Sequence, residues 1–238
     1  MSGYTKHFVP LESNPDVFTL LIHQLGVSEA LSFQEVLSLN DVASFPRPAL
    51  ALILIFPTSE TYETHRSIED ADREENTGPD ADGTIWFKQT INNACGLYAI
   101  LHAVCNGDAV SFIDPDSLLA ELLRHRNVPP RDFARTLEAS ARLEETYSKA
   151  AMAGDSNVPE DAEEEVDYHY VCFVKNRHSH ILELDGDRKG PIDKGPLLNH
   201  DDDLLSEASM AVVRGYIERE RGHNLGFNLM ALVRTARD

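Results

Sequence analysis

Long apolar runs are missing from this chain of 238 residues: the longest, Ala49-Leu-Ala-Leu-Ile-Leu-Ile-Phe56, falls far short of the roughly 18–20 residues that a bilayer span requires. No membrane helix is expected. The N-terminus, Met1-Ser-Gly-Tyr-Thr-Lys-His-Phe8, lacks the apolar core of a secretory signal. Cysteine is scarce, with Cys95, Cys105 and Cys172 the only three and no C-x-x-C among them, which excludes a disulfide framework and a zinc-ligand set. A reducing compartment, cytosol or nucleus, is the expected home. Basic residues are few: 21 Lys and Arg stand against 40 Asp and Glu, giving a net charge of −19 and a pI of about 4.8. With no Lys/Arg run beyond a scattered pair, phosphate contacts to nucleic acid are not expected. His178 and His180 form an H-x-H without a third ligand nearby, so neither a metal site nor any cofactor is expected. No period of 20–50 residues is visible, which removes repeat architectures.

What is present suffices for a folded core, since 42% of the residues are hydrophobic and a chain of this length buries roughly 70–75% of its unfolded surface. Asn14-Pro15 opens an amphipathic helix with Val17, Phe18, Leu21 and Leu25 at helical spacing before Gly26. A polar connection through Phe33, Val36 and Leu39 leads past Phe45-Pro-Arg-Pro48 into the run 49–56, whose length and flanking prolines suit a strand buried on both faces. Residues 57–83 are polar and acidic and read as one solvated helix followed by a loop. Thr84-Ile-Trp-Phe87 reads as a short strand, and residues 95–105 as a helix apolar nearly all round, hence buried centrally. Two packing helices follow, one opening at Asp114-Pro115 and one after Pro129-Pro130 that runs through Phe133, Leu137, Leu143 and Tyr147. Residues 150–167 are small, polar and acidic and read as an exposed loop. Beyond them, 168–174 and 180–185 form a β-hairpin around a turn at 175–179. A helix through Met210, Val213, Tyr216 and Ile217 and a strand at 227–233 close the chain.

The buried helix that starts with cysteine carries the chemistry. A thiol at a helix N-terminus meets the positive end of the macrodipole, which favours thiolate; Asn92 or Asn93 is the expected N-cap. A nucleophile needs a base, and the hairpin supplies one by arithmetic. If the turn centres on Arg177, paired residue numbers sum to 354, which sets His169 directly across from Asp185. An aspartate that accepts from one imidazole nitrogen fixes the ring and leaves the other nitrogen for a thiol. The same pattern is also that of a surface hairpin with an incidental His–Asp pair, and a one-residue bulge would break it. Gln89, six residues ahead of Cys95, is placed to donate to an oxyanion over the sulfur, or to bond backbone as an ordinary loop glutamine. Cys105 and Cys172 sit among apolar neighbours and read as inert core thiols.

Lys88-Gln-Thr-Ile-Asn-Asn-Ala-Cys-Gly96 resembles the active-site signature of the ubiquitin C-terminal hydrolases, a family of papain-like cysteine peptidases. Pro10-Leu-Glu-Ser-Asn-Pro15, Phe45-Pro-Arg-Pro48, Val166-Asp-Tyr-His169 and Leu182-Glu-Leu-Asp-Gly186 agree with it, in order along the whole chain. The resemblance implies an α+β, papain-like fold: a central, mostly antiparallel sheet flanked by helices, a knotted backbone, and a crossover loop at 150–167 over the active site. It implies one catalytic domain over 1–238. It also implies Cys95 as nucleophile, His169 as base and acid, Asp185 as its orienter and Gln89 as oxyanion donor. Ubiquitin contacts carry over to Pro10, Leu11, Glu12, Ser13, Asn14 and Pro15, to the loop between Met152 and Pro159, and to Leu225 and Phe227.

The expected activity is thiol-dependent deubiquitination: hydrolysis after ubiquitin's C-terminal glycine through a Cys95 thioester, with small or unstructured adducts preferred because the loop is short. Ubiquitin is the expected partner, the chain a monomer, and the excess of carboxylates, Glu12 among them, suits a basic substrate tail. Two alternatives stay open: a catalytically silent ubiquitin-binding adaptor, and the same hydrolase acting on another ubiquitin-like modifier.

Overall fold

The apolar run becomes the centre of the molecule. In this computed structural model, which describes residues 4, 6–78, 82–154, 168–197, 199, 201–223 and 225–235, the chain runs β1 (Lys6–His7), α1 (Pro15–Leu25), β2 (Leu31–Glu35), β3 (Ala49–Pro57), α2 (Glu60–Asp70), β4 (Ile91–Asn92) and α3 (Cys95–Val104). A 3-10 turn (Gly107–Phe112) precedes α4 (Leu118–Leu123), α5 (Pro130–Ala139), α6 (Ala141–Ala151), β5 (Tyr168–Lys175), β6 (His180–Leu184), β7 (Ile192–Pro196), α7 (Glu207–Arg219) and β8 (Asn228–Arg234). Six strands form one sheet in the order β2-β8-β3-β5-β6-β7, antiparallel at every pairing. The short β1 and β4 pair in parallel apart from it.

The two-residue period of β3 divides the core. Ala51, Ile53 and Ile55 pack on one face with Phe18, Leu97, Ile100 and Leu143 from α1, α3 and α6, while Leu52, Leu54 and Phe56 pack on the other with Tyr62, Met210, Val213 and Tyr216 from α2 and α7. A sheet covered on both sides explains a strand without a polar position. The α+β architecture with a central antiparallel sheet and flanking helices is therefore as expected. α1 also forms as read, with Asn14 Oδ1 accepting from Asp16 N (2.9 Å) and Gly26 ending the helix in the left-handed region at φ 97°.

Several local expectations are corrected. The connection after α1 contains β2, whose partner β8 lies some two hundred residues away. Residues 84–87 are not a strand: the Ile85 and Phe87 backbone is bonded by side chains of Asn106 and His102 instead of by a neighbouring strand. The helix expected at Asp114 begins at Leu118, because Ser117 is the N-cap and its hydroxyl accepts from Ala120 N (3.1 Å). The single helix expected after Pro130 is two, broken at Ser140 (φ −79°, ψ 97°), which caps α6 by accepting from Leu143 N (3.2 Å). β7 has no counterpart in the sequence reading. α2 is more than a solvated face: Tyr62 is buried, and Glu69 and Asp70 hold the buried Arg188 at 2.8 Å each. Most of the 150–167 loop, residues 155–167, lies outside the described residues; its first residues finish α6 and turn at Met152 to Gly154.

Candidate active site

Cys95 is the first residue of α3, where the sequence placed it, but the cap differs. The N-cap is Ala94, with no side-chain cap hydrogen bond. Asn93 occupies the left-handed region at φ 56°, and the Asn92 amide bonds His7 Nδ1 (3.1 Å), so neither asparagine caps the helix. The positive end of α3 is thus left to the thiol. Gly96 permits a close approach, since a Cβ there would sit 3.1 Å from Leu11 Cβ. Cys95 is partly exposed whereas Cys105 and Cys172 are buried, and burial pushes both of those thiols far up, away from thiolate.

His169 and Asp185 meet, although not by the expected register. The hairpin ladder pairs Cys172 with Leu184 and Lys175 with Ile181, so the turn spans 176–179 and paired numbers sum to 356. The cause is the Asn176 side chain, whose Oδ1 accepts from both His178 N (2.9 Å) and His180 N (3.0 Å) and shortens the turn. Moving the turn centre by one residue moves each partner by two, which keeps the face. His169 and Asp185 become diagonal neighbours just past the end of β6, and His169 Nε2 donates to Asp185 Oδ2 at 2.8 Å. Cys95 interacts with the His169 imidazole and favours its charged form, and the Cys95 sulfur lies 4.0 Å from the Tyr168 carbonyl.

The electrostatics follow from that chain. Burial alone would lower the His169 pKa, but the Asp185 charge and hydrogen bond, joined by Cys95, hold it well above the ordinary imidazole value. Burial likewise works against the Asp185 carboxylate, yet His169, the Asp187 backbone N–H and Arg188 bring its pKa down to about 2. Its oxygens accept in addition from Tyr62 Oη (3.3 Å) and Asp187 N (2.9 Å), and its carbonyl from Trp86 Nε1 (3.0 Å). Phe56 and Tyr62 wall the imidazole at centroid distances of 5.9 and 5.7 Å. Tyr62 and Trp86 were not singled out in the sequence, because an acidic helix and a misread strand carry them.

Gln89 is buried. Its backbone N–H donates to Gly186 O (2.8 Å) and its amide to Ile91 O (3.2 Å). Gly186, next to Asp185, has no room for a side chain, since a Cβ would lie 2.8 Å from Phe87 O and 2.9 Å from Gln89 Cβ. A cavity of about 530 Å³ opens over Cys95, lined by Pro10, Leu11, Glu12, Ser13, Tyr168 and Phe227 among others. Tyr170 and Tyr147 tie the 9–11 backbone to this rim by donating to Leu11 O and Val9 O, each at 2.6 Å. Of the other residues the resemblance pointed to, Asn14 and Pro15 start α1, and Met152 and Leu225 are exposed. Pro159 lies outside the described residues. Among the described residues no group of three His, Cys, Asp or Glu side chains is arranged to hold a metal, and no described helix is long and apolar enough to cross a membrane.

The sequence model of the family described as ubiquitin carboxyl-terminal hydrolase, family 1, matches residues 8–218. The chain belongs to this family. It is a cysteine-type ubiquitin C-terminal hydrolase, a deubiquitinating enzyme. The hydrolase is similar to ubiquitin carboxyl-terminal hydrolase of Drosophila melanogaster, 37% identical over 191 residues that cover 79% of this chain and 82% of the relative. It is similar also to ubiquitin carboxyl-terminal hydrolase isozyme L1 of Homo sapiens, 32% identical over 231 residues that cover 95% and 98%. Its fold matches the crystal structure of the Trichinella spiralis UCH37 catalytic domain bound to ubiquitin vinyl methyl ester, with a TM-score of 0.76 and 22% identity over 98% of each chain.

Proposed function

We propose that this hydrolase cleaves adducts from the C-terminal glycine of ubiquitin through a thioester on Cys95. The observation that carries the reading is the His169–Asp185 hydrogen bond at 2.8 Å, with Cys95, at the start of α3, acting on the same imidazole beside a cavity rimmed by residues 10–13. Its relatives are named for ubiquitin hydrolysis, and the similar UCH37 structure holds a ubiquitin electrophile. His169 takes the Cys95 proton, and the thiolate attacks the glycine carbonyl. The resulting oxyanion accepts from the Gln89 amide and from a backbone N–H at the start of α3. His169 then protonates the leaving amine as the C–N bond breaks, leaving the thioester. In the second half His169 takes a proton from water, hydroxide adds to the thioester, and the C–S bond breaks to restore Cys95. Asp185 keeps its proton off throughout and orients the ring.

Preference for small or unstructured leaving groups belongs to the same proposal. Thirteen residues separate Gly154, which packs against Glu12, from Tyr168 at the cavity. At roughly 3.3–3.6 Å per residue, a segment of that length can span any opening it bounds only widely enough for an extended chain and not for a folded domain. The enzyme is proposed to act as one catalytic domain and as a monomer, in a reducing compartment where its three thiols persist. Glu12 meets the basic tail of the substrate.

The test is intact-mass spectrometry after incubation with ubiquitin vinyl methyl ester, for the wild type and Cys95→Ala side by side. One adduct on the wild type and none on the variant is expected. Ubiquitin binding without an adduct would replace the hydrolase reading of this site with an adaptor, and an adduct formed only with another modifier would replace the substrate.

A further inference from the structure

Residues 84–90, which carry Gln89, pair with no strand among the described residues; His102 of α3 and Asn106, two residues past the end of α3, bond the Ile85 and Phe87 backbone instead. Ile85 N donates to Asn106 Oδ1 (2.7 Å) and Asn106 Nδ2 donates back to Ile85 O (2.9 Å), so the carboxamide mimics one residue of a β-ladder. Two residues on, Phe87 N donates to His102 Nε2 (2.9 Å). Asn106 follows His102 by four residues, just past the end of α3, and its Nδ2 is braced on the His102 carbonyl (2.9 Å). His102 is wholly buried, and burial lowers its pKa to about 3, which keeps the ring neutral. With Nε2 accepting from Phe87, its proton is on Nδ1.

The clamped segment touches the site twice. Trp86 Nε1 donates to the carbonyl of Asp185 (3.0 Å) and Gln89 N donates to the carbonyl of Gly186 (2.8 Å). The helix that presents Cys95 at its first residue therefore fixes, from the other end, the segment that presents Gln89. We infer that His102 and Asn106 are positioning residues for the oxyanion donor: they set the place of the Gln89 amide relative to the Cys95 sulfur by gripping the backbone two and four residues before it. The inference rests on the reading of Cys95 as nucleophile and Gln89 as donor. A Phe87 N–H left without its acceptor would shift the segment, and a displacement on the order of 1 Å is enough to cost ~10²-fold in rate.

The experiment compares His102→Leu and His102→Gln with the wild type. It reads kcat and KM on ubiquitin bearing a C-terminal fluorogenic amide, the rate of Cys95 alkylation by iodoacetamide, and the same kinetics in a Gln89→Ala background. Alkylation forms a carbon–sulfur bond and releases iodide without an oxyanion, so it reports the thiol and the helix alone. His102→Leu is expected to lower kcat by ~10-fold to ~10²-fold with KM and alkylation within about twofold. His102→Gln, whose Oε1 can accept from Phe87 N, is expected to recover most of the loss, and the loss is expected to vanish when Gln89 is already alanine. Asn106→Ala, which frees Ile85 while leaving the imidazole in place, should show the same split if His102→Leu fails to fold. A fall in alkylation that tracks kcat, a loss that persists without Gln89, or unchanged kcat in both variants would each overturn the inference. Failure of the reading beneath it looks different: Cys95→Ala would retain turnover.

Discussion

His169 and His102 are both withdrawn from water, and they end in opposite states. His169 has a carboxylate 2.8 Å from one nitrogen and feels the Cys95 thiol nearby, and its pKa is held well above the ordinary value. His102 meets a backbone N–H and apolar walls, and its pKa drops to about 3. Burial disfavours the cation in both; the partner decides the outcome. One imidazole is thereby prepared to hold and move a proton, and the other is a fixed acceptor that holds backbone. α3 touches both environments, so a single helix couples proton chemistry at its start to geometry at its end.

The comparison breaks hardest if the charged histidine is removed. His169→Gln is expected to lower kcat/KM on a ubiquitin C-terminal amide by about 10⁴-fold, as loss of a triad base does, while Tm moves little in comparison. Gln89→Ala follows with a loss of ~10²–10³-fold in kcat, checked by single-turnover kinetics. Asp185→Asn is expected to cost about 10²-fold and to draw the upper limb of the pH–rate profile downward, because burial then acts on His169 with its main opposing charge gone. An upper limb that stays put in that variant would separate the high His169 pKa from Asp185.

Stability against pH sharpens the contrast through opposite signs. The folded pKa of His169 is raised, so its contribution is fully present below the unfolded value of 6.5 and is lost as pH rises through the folded value. Asp185, lowered to about 2 from 3.8, contributes above 3.8 and loses that contribution as pH falls through about 2. For His102 the folded value lies below the unfolded one. Between pH 6.5 and about 3 the unfolded chain binds the extra proton, and stability falls as the solution is acidified. Urea unfolding at intervals across that range should therefore show a shallower acid loss in His102→Gln than in the wild type. The smallest effect expected is on encounter: a chain at −19 should bind a basic-tailed substrate more slowly as salt rises, by a few-fold in the stopped-flow association rate, and Glu12→Gln should flatten that slope slightly.

The elements legible in the sequence were those whose signals are local. Asn14-Pro15 and Gly26 bound α1, and the unbroken apolar run announced β3. Cys95 at a helix start needed only the pattern that follows it. The pairing of His169 with Asp185 came from an assumed turn centre that was one residue off, and it survived because an even shift keeps both side chains on one face. What was not legible depends on partners far along the chain. β2 becomes a strand only because β8 is there to receive it. Thr84-Ile-Trp-Phe87 has strand composition, but its ladder is built from Asn106 and His102. Tyr62 sits in a run whose charge pattern says solvent, yet it reaches the buried Asp185. The acid series of that helix was misread for the same reason, since Glu69 and Asp70 answer Arg188, more than a hundred residues on.

The most direct test of the account is a ¹³C–¹H NMR titration of the imidazole Cε1 positions in histidine-labelled enzyme, with His169 and His102 assigned from their Gln variants. The account predicts that the His169 signal keeps its imidazolium position past the pH at which an ordinary imidazole loses its proton, and that its transition moves to lower pH once Asp185 is asparagine. The His102 signal is predicted to stay neutral down to the lowest pH at which the protein is folded. Two signals that both titrate near 6.5 would contradict it.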